Sequence, residues 1–228
     1  MASAPLAARR TFDFGRALTF VKGDPRWIAK LAIGSLVSLS GLLLIGLPLL
    51  PGYYVRLIRR SAAGEAHALP EWNNWGELFI DGLKVMAMVA VHFVVVGLPL
   101  SAAIFAVTRV LPLEGETPGA PPPVLAVLAL YAVLGAFLFP LAFYTPSAQI
   151  RYAMTGSLRE SLNVRANLGF VRDNVANYVL SLVFMVANTL SQFGVFACCV
   201  GLLPATLWAY GCLCYALGQT IRLSEAQR

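Results

Sequence analysis

Residues 28–50, IAKLAIGSLVSLSGLLLIGLPLL, decide how the rest of the chain must be arranged. A helix needs about 20 apolar residues to cross a hydrocarbon core about 30 Å thick, so this stretch is long enough for one crossing. Yet Ser38, Ser40 and Gly41 interrupt its middle, and Pro48 and Pro51 punctuate its end. Basic residues separate the alternatives, because cytoplasmic loops of membrane proteins collect Lys and Arg. A single crossing from an inside N-terminus leaves 7 of the 17 basic residues inside, and one from an outside N-terminus leaves 10. A hairpin that enters and returns on one side leaves 16 inside, with only Arg109 beyond the bilayer. The stretch therefore reads as a short helix over 28–39, a turn at Ser40-Gly41 and a return helix to Arg60. The first arm is too short to span, so it must tilt, thin the bilayer or pack against protein.

Composition points the same way. The 228 residues are 58% hydrophobic and 12% charged, against about 45–50% and about 25% in soluble domains. A water-soluble globule of this size cannot hide so much apolar surface, which excludes a soluble enzyme and a disordered chain. The net charge of +6 sits beside apolar segments. No free basic stripe with interleaved aromatics suggests nucleic acid as a partner. The first long apolar run starts near Trp27, after five basic residues and without a small-x-small site, so no cleaved leader is expected.

The expected fold is all-α: a polytopic membrane helical bundle with an interfacial N-terminal helix, a short re-entrant hairpin and four full transmembrane helices. Residues 1–26 form a cytoplasmic N-terminus, in which Phe14, Leu18 and Val21 recur at helical spacing between Arg16 and Lys22. Asp24-Pro25 reads as an N-cap followed by Pro at the first helical position. Residues 27–228 form one integral membrane domain: the hairpin over 28–60, a cytoplasmic connection over 61–82, and spans over 83–111, 124–150, 175–200 and 203–223. Two connections share an outline, since Arg59 precedes Gly64 by five residues as Arg151 precedes Gly156.

Candidate functional residues fall in two groups. Around 69–84, Asn74 and Glu77 have capping-box spacing, which would start a helix at Trp75. Trp72 and Trp75 suit the interface, and Glu77 and Asp81 share a helical face that could meet Arg56, Arg59 or Arg60. These seven residues form either a collar that locks the hairpin to the next span or a docking or headgroup-binding surface. The second group is an intramembrane polar cluster of His92, Asn188 and Gln192. Cys198, Cys199, Cys212 and Cys214 lie in apolar helices without Cys-x-x-Cys spacing, so they read as small hydrophobes rather than a metal site. No catalytic motif and no cofactor-binding motif is recognised.

Several of these residues also carry a resemblance. Asp13-Phe14, Ala17-Leu18, Asp24-Pro25-Arg26-Trp27, Ile33-Gly34, Gly52-Tyr53, Val55-Arg56, Gly64 and Leu69-Pro70-Glu71-Trp72 resemble the membrane protein family catalogued as domain of unknown function 4013. The most specific piece is Gly76-Glu77-Leu78-Phe79-Ile80-Asp81-Gly82-Leu83-Lys84, with a looser match through 158–162 and 174–178. The family looks distantly related to the membrane domains of some glycerophosphodiester phosphodiesterases, which implies six helices with both ends cytoplasmic. The resemblance lends architecture and no mechanism.

The expected protein is a multi-pass component of a prokaryotic inner membrane with both termini in the cytoplasm. Its expected role is non-catalytic: an accessory, assembly or scaffold component that meets the lipid bilayer or another membrane protein. The alternative is a small-molecule or lipid transporter with a polar cavity at the midplane.

Overall fold

The structure, a computed structural model, describes residues 11–41, 44, 46–111, 123–191 and 202–226, and every regular element among them is helical. In order these are α1 (Phe14–Thr19) with a 3₁₀ turn over Phe20–Gly23, α2 (Trp27–Ser40), α3 (Leu49–Ala62), α4 (Trp75–Val110) and α5 (Val124–Thr155). They are followed by α6 (Leu158–Ser161), α7 (Val164–Asp173), α8 (Val175–Ser191) and α9 (Leu202–Glu225). The chain divides into two compact units, Met1–Met86 with Ser147–Arg228, and Ala87–Pro146.

The first unit is built around α9, against which α1, α2, α3 and α8 all pack. The reason lies in its small residues. Ala209, Cys212, Cys214 and Ala216 are fully buried, while Gly211 admits the Phe20 ring and Gly218 lies against Ser61 and the Ile58 carbonyl. Ser61 Oγ donates to the Tyr215 carbonyl at 2.7 Å, which fixes α3 against α9. Between α8 and α9, Ser181 and Thr220 hydroxyls lie 2.9 Å apart. Polar pairs of this kind contribute about 0.6 kcal/mol each between apolar helices.

Both arms of the expected hairpin are helices, α2 and α3, and they touch. Gly41 caps α2 with its N–H on the carbonyls of the last turn, and Pro48 immediately precedes α3. Gly64 ends α3 at φ 72° and Gly156 follows α5 at φ 67°. Both sit in the left-handed region that glycine occupies without a Cβ penalty. The two connections that looked alike in sequence thus begin with the same backbone device.

A second glycine pair sets how α3 meets α4. A Cβ on Gly52 would overlap the backbone of Leu78, and one on Gly82 would overlap the Pro48 carbonyl. The two helices therefore approach backbone to backbone, which only small residues allow.

Several expectations change. The N-terminal stretch expected on the lipid surface also meets protein: Ala17 of α1 and Phe20 and Val21 of the 3₁₀ turn are buried, and Phe20 stacks on Tyr215 with ring centroids 4.8 Å apart. Gln219 accepts from the Asp13 N–H at 2.9 Å and Trp208 Nε1 donates to the Leu18 carbonyl at 3.3 Å, so α1 is pinned to α9. Asp24-Pro25 does not open α2 directly. The chain turns through Pro25 and Arg26, with Asp24 Oδ1 accepting from the Arg26 N–H at 2.8 Å, and the helix starts at Trp27.

The four expected full spans are also reduced. Two helices, α4 and α5, are long and apolar enough to cross a membrane by length and composition. At 36 and 32 residues they extend roughly 54 and 48 Å, well beyond a hydrocarbon core. Only 6% and 11% of their most apolar windows is buried, unlike the core helices of a soluble protein. The described part of α8 has 17 residues. Helix α9 has 24 but interleaves Thr206, Tyr210, Gln219 and Thr220 among its apolar residues. Surrounded by other helices, α9 does not need a lipid-compatible surface.

Replacing Gly82 with Val should lower the stability of the purified chain by about 3 kcal/mol, because the clash is with a carbonyl that cannot rotate away. The matched substitution Gly76→Ala, which meets nothing within 4 Å, should leave Tm unchanged or raised. Thermal unfolding in mild detergent distinguishes them.

Candidate functional site

The charged groups of the first unit gather at the ends of α2, α3, α4 and α5. Lys30, one turn into α2, is 5% exposed. Its ammonium donates to Asp24 Oδ2 at 2.6 Å and to the Leu69 carbonyl at 3.1 Å, and Glu71 Oε1 lies 2.8 Å away. Those three acceptors match its three N–H donors. Arg26 Nη2 adds a second cation on Glu71 at 2.8 Å. Burial pushes the Asp24 carboxyl up, but the Lys30 hydrogen bond, the Arg26 N–H and the attraction of the ammonium hold it below its ordinary value. The Glu71 carboxyl is also held low, chiefly by its hydrogen bond to Lys30, against a smaller opposing effect of burial.

An aromatic stack covers this ion cluster. Trp72 donates Nε1 to the Lys30 carbonyl at 2.8 Å and lies face to face with Tyr53 at 4.2 Å between centroids. Trp75 follows at 5.8 Å. Tyr53 Oη donates to the Pro70 carbonyl at 3.3 Å, so the loop before α4 is held from both sides.

A second cluster centres on Asp81. Its Oδ2 accepts from Arg59 Nη1 at 2.6 Å and its Oδ1 from the Tyr152 hydroxyl at 2.6 Å. Arg59 Nε donates to the Ala153 carbonyl at 3.1 Å. One carboxylate thereby ties α3, α4 and α5 together.

Of the residues singled out from sequence, Arg56 and Glu77 meet at 3.3 Å, and Arg56 Nη1 also donates to Asn73 Oδ1 at 2.9 Å. Arg59 and Asp81 form the tighter pair. Arg60 joins neither acid of α4: it pairs with Glu65 at 2.6 Å and donates to the carbonyls of His67 and Leu69. The helix does start at Trp75, but Asn74 is left-handed at φ 50° rather than extended as in a capping box, and the Glu77 carboxylate turns to Arg56. The Arg cluster is thus committed to internal partners. Outward on the first turns of α4 are Trp75, Phe79 and Leu83, spaced four residues apart, together with Ile80, all exposed.

The intramembrane group is not seen to converge. His92, in the second unit, donates Nδ1–H to the Met88 carbonyl at 2.7 Å, one turn back on its own helix, and its ring lies 5.0 Å from that of Tyr144. Asn188 is on α8 with its side chain outside the described residues, and Gln192 lies outside them altogether. Cys212 and Cys214 are buried on α9, whereas Cys198 and Cys199 fall outside the described residues. Among the described residues, no three His, Cys, Asp or Glu side chains are placed to hold a metal ion.

Sequence reasoning missed the Lys30–Asp24–Glu71 cluster and the role of Tyr152. A signal for the first existed: a lysine in the first turns of a wholly apolar segment needs a counter-charge, and Asp24 precedes it by six residues.

An open apolar groove of about 810 Å³ lies between the outward face of α2, including Trp27, Ile28, Ser35 and Leu36, and Leu203 and Pro204 at the start of α9. The enclosed cavity beside Lys30 holds about 10 Å³, about one water.

These features define an all-helical protein whose two longest helices are apolar and whose charges are knotted at helix ends. The chain belongs to the family described as "Protein of unknown function (DUF4013)", whose model matches residues 35–204. Comparison with curated proteins and with solved structures yields no match, and the more distant link to glycerophosphodiester phosphodiesterase membrane domains gains no support.

Removing the Lys30 ammonium alone, as in Lys30→Met, strands a buried Asp24 carboxylate and should cost about 3–5 kcal/mol. The double variant Lys30→Met with Asp24→Leu should recover much of that loss. Because both folded carboxyls titrate below their unfolded values of about 3.9 and 4.3, their contribution is complete above those values. It drains as pH falls toward the folded ones. Tm should therefore drop on acidification below about pH 4.5, and less steeply in Asp24→Asn with Glu71→Gln.

Proposed function

We propose that the chain is an integral inner-membrane protein acting as a non-catalytic accessory, assembly or scaffold component, docked through the groove between α2 and α9. In this reading α4 and α5 cross the bilayer, α2 and α3 form a shallow hairpin, and both termini are cytoplasmic. The excess of basic residues on one side under that topology supports it.

The observation that carries the role is the contrast between consumed polar groups and an open apolar groove. Arg56, Arg59, Arg60, Glu77 and Asp81 have partners within the fold, which leaves them as a lock. The groove is about 810 Å³ and lined almost wholly by apolar side chains. Helix α2 has 14 residues and extends roughly 21 Å, short of the depth of a hydrocarbon core. That leaves room for an apolar transmembrane helix of another membrane protein. A transporter needs polar groups gathered at one depth, and His92 is tied to its own backbone.

The test is recovery of the tagged full-length chain from its native membrane in mild detergent. A membrane protein should co-purify at fixed stoichiometry and cross-link to a photo-reactive residue placed at Leu36. Leu36→Arg should lower that recovery about ten-fold with Tm unchanged. Recovery of the chain alone, or of the same partner undiminished by Leu36→Arg, would refute this docking face.

A further inference from the structure

Helix α7 differs from α1 in how it uses its faces. It is capped by Asn163, whose Oδ1 accepts from the Ala166 N–H at 3.1 Å, and it buries Asn167 and Val171. The outer flank of that same apolar face carries Val164 and Leu168, 54% and 53% exposed, and Arg165 and Arg172 are exposed on the side next to them, away from Asn167 and Val171. Arg159, just before it, is exposed as well. Arg172 has only its neighbour Asp173 at 3.3 Å, both well solvated. Among the described residues no carboxylate pairs with Arg159 or Arg165.

The position of this face follows from the next helix. A single residue, Asn174, separates α7 from α8. On α8, Val175, Val179, Val183 and Val186 are all exposed and recur every three or four residues, so they form one outward aliphatic stripe. Such a stripe faces acyl chains if α8 is in the bilayer. A helix that breaks from it after one residue, with aliphatic side chains and unneutralised arginines outward, then lies where acyl chains give way to headgroups.

We propose that α7 is the chain's lipid-surface helix: Val164 and Leu168 enter the outer acyl region of the cytoplasmic leaflet while Arg159, Arg165 and Arg172 bind anionic phospholipid headgroups. The occupant follows from charge complementarity, since among the described residues Arg159 and Arg165 have no carboxylate partner and Arg172 has only a solvated neighbour, and phosphate esters supply the missing charge. The inference rests on the membrane reading above, and α8 provides its internal control.

The full chain is reconstituted into phosphatidylcholine vesicles containing about one-third phosphatidylglycerol, with a photo-reactive amino acid at Leu168 or, separately, at Val183. Lipid adducts are identified by mass spectrometry. Both sites should yield lipid adducts, and those at position 168 should be enriched in phosphatidylglycerol about three-fold over its share of the bilayer. Replacing Arg159, Arg165 and Arg172 with Gln should remove the enrichment and leave position 183 unaffected. Adducts at 183 but none at 168, or adducts at 168 that mirror bulk composition, overturn the role of α7 while the membrane reading stands. Absence of lipid adducts at both positions overturns the inference, and absence of them also at a third probe on Val95, exposed on α4, overturns the membrane reading itself.

Discussion

A lysine buried at 5% exposure constrains much of what surrounds it. An ammonium cannot stay charged in an apolar setting unless opposing charge and acceptors surround it, since the desolvation cost is several kcal/mol. Lys30 meets that demand with groups from two parts of the chain: Asp24 before α2, and the Leu69 carbonyl and Glu71 in the loop before α4. Placing Glu71 places Trp72, whose indole both covers the Lys30 carbonyl and stacks on Tyr53 of α3. The loop from 63 to 74 is thereby ordered without secondary structure of its own. The Leu69 carbonyl is shared with Arg60, which links the ion cluster to the end of α3.

From there the order spreads to α4 and α5. Gly52 and Gly82 let α3 and α4 touch at the backbone, which brings Arg59 onto Asp81 at 2.6 Å. Asp81 then takes the Tyr152 hydroxyl. Exposed ion pairs are worth little, about 0–1 kcal/mol each, so Arg56 with the solvent-facing Glu77 adds modestly. The Asp81 junction is different because one carboxylate accepts from two helices at once and Arg59 also reaches a backbone carbonyl of α5. These clusters make the polar ends of otherwise featureless apolar helices specific for one another.

How much of this was legible depended on distance along the chain. The end of α2 could be read because Gly41 punctuates the apolar run locally, whereas the return helix was expected directly after that turn and α3 starts only at Leu49, behind Pro48. The pairing of the α3 arginines with the α4 acids could be anticipated as a set, since both lie at helix ends separated by a short connection. It could not be resolved residue by residue, because Arg60 had a nearer acid in Glu65. The capping box failed for a related reason: the Glu77 side chain had a cation within reach. Burial of Lys30 depends on Glu71, 41 residues away, and the fate of α1 depends on aromatic and amide partners across the fold in α9. Amphipathicity alone does not say whether an apolar stripe meets lipid or protein. Four spans were expected where two described helices have the length and composition to cross a membrane; hydropathy does not separate a helix wrapped by other helices, such as α9, from one with an open apolar surface.

The structure also exposes a spacing that hydropathy concealed. Gly52, Ser147 and Gly218 each precede a β-branched aliphatic by three residues and an arginine by four: Val55-Arg56, Ile150-Arg151 and Ile221-Arg222. Gly52 lies against the Leu78 backbone, Gly218 against Ser61, and Ser147 is buried. In each of α3, α5 and α9 a small residue is buried or closely approached one turn before an arginine. Arg56 finds Asn73 and Glu77, and the guanidinium of Arg222 lies over Gly64 where a side chain would crowd it. A chain that repeats this spacing in three helices places a packing contact and a cation one turn apart on each. In so apolar a sequence, two residue types spaced four apart therefore carry much of the positional information that a soluble protein spreads over its whole polar surface.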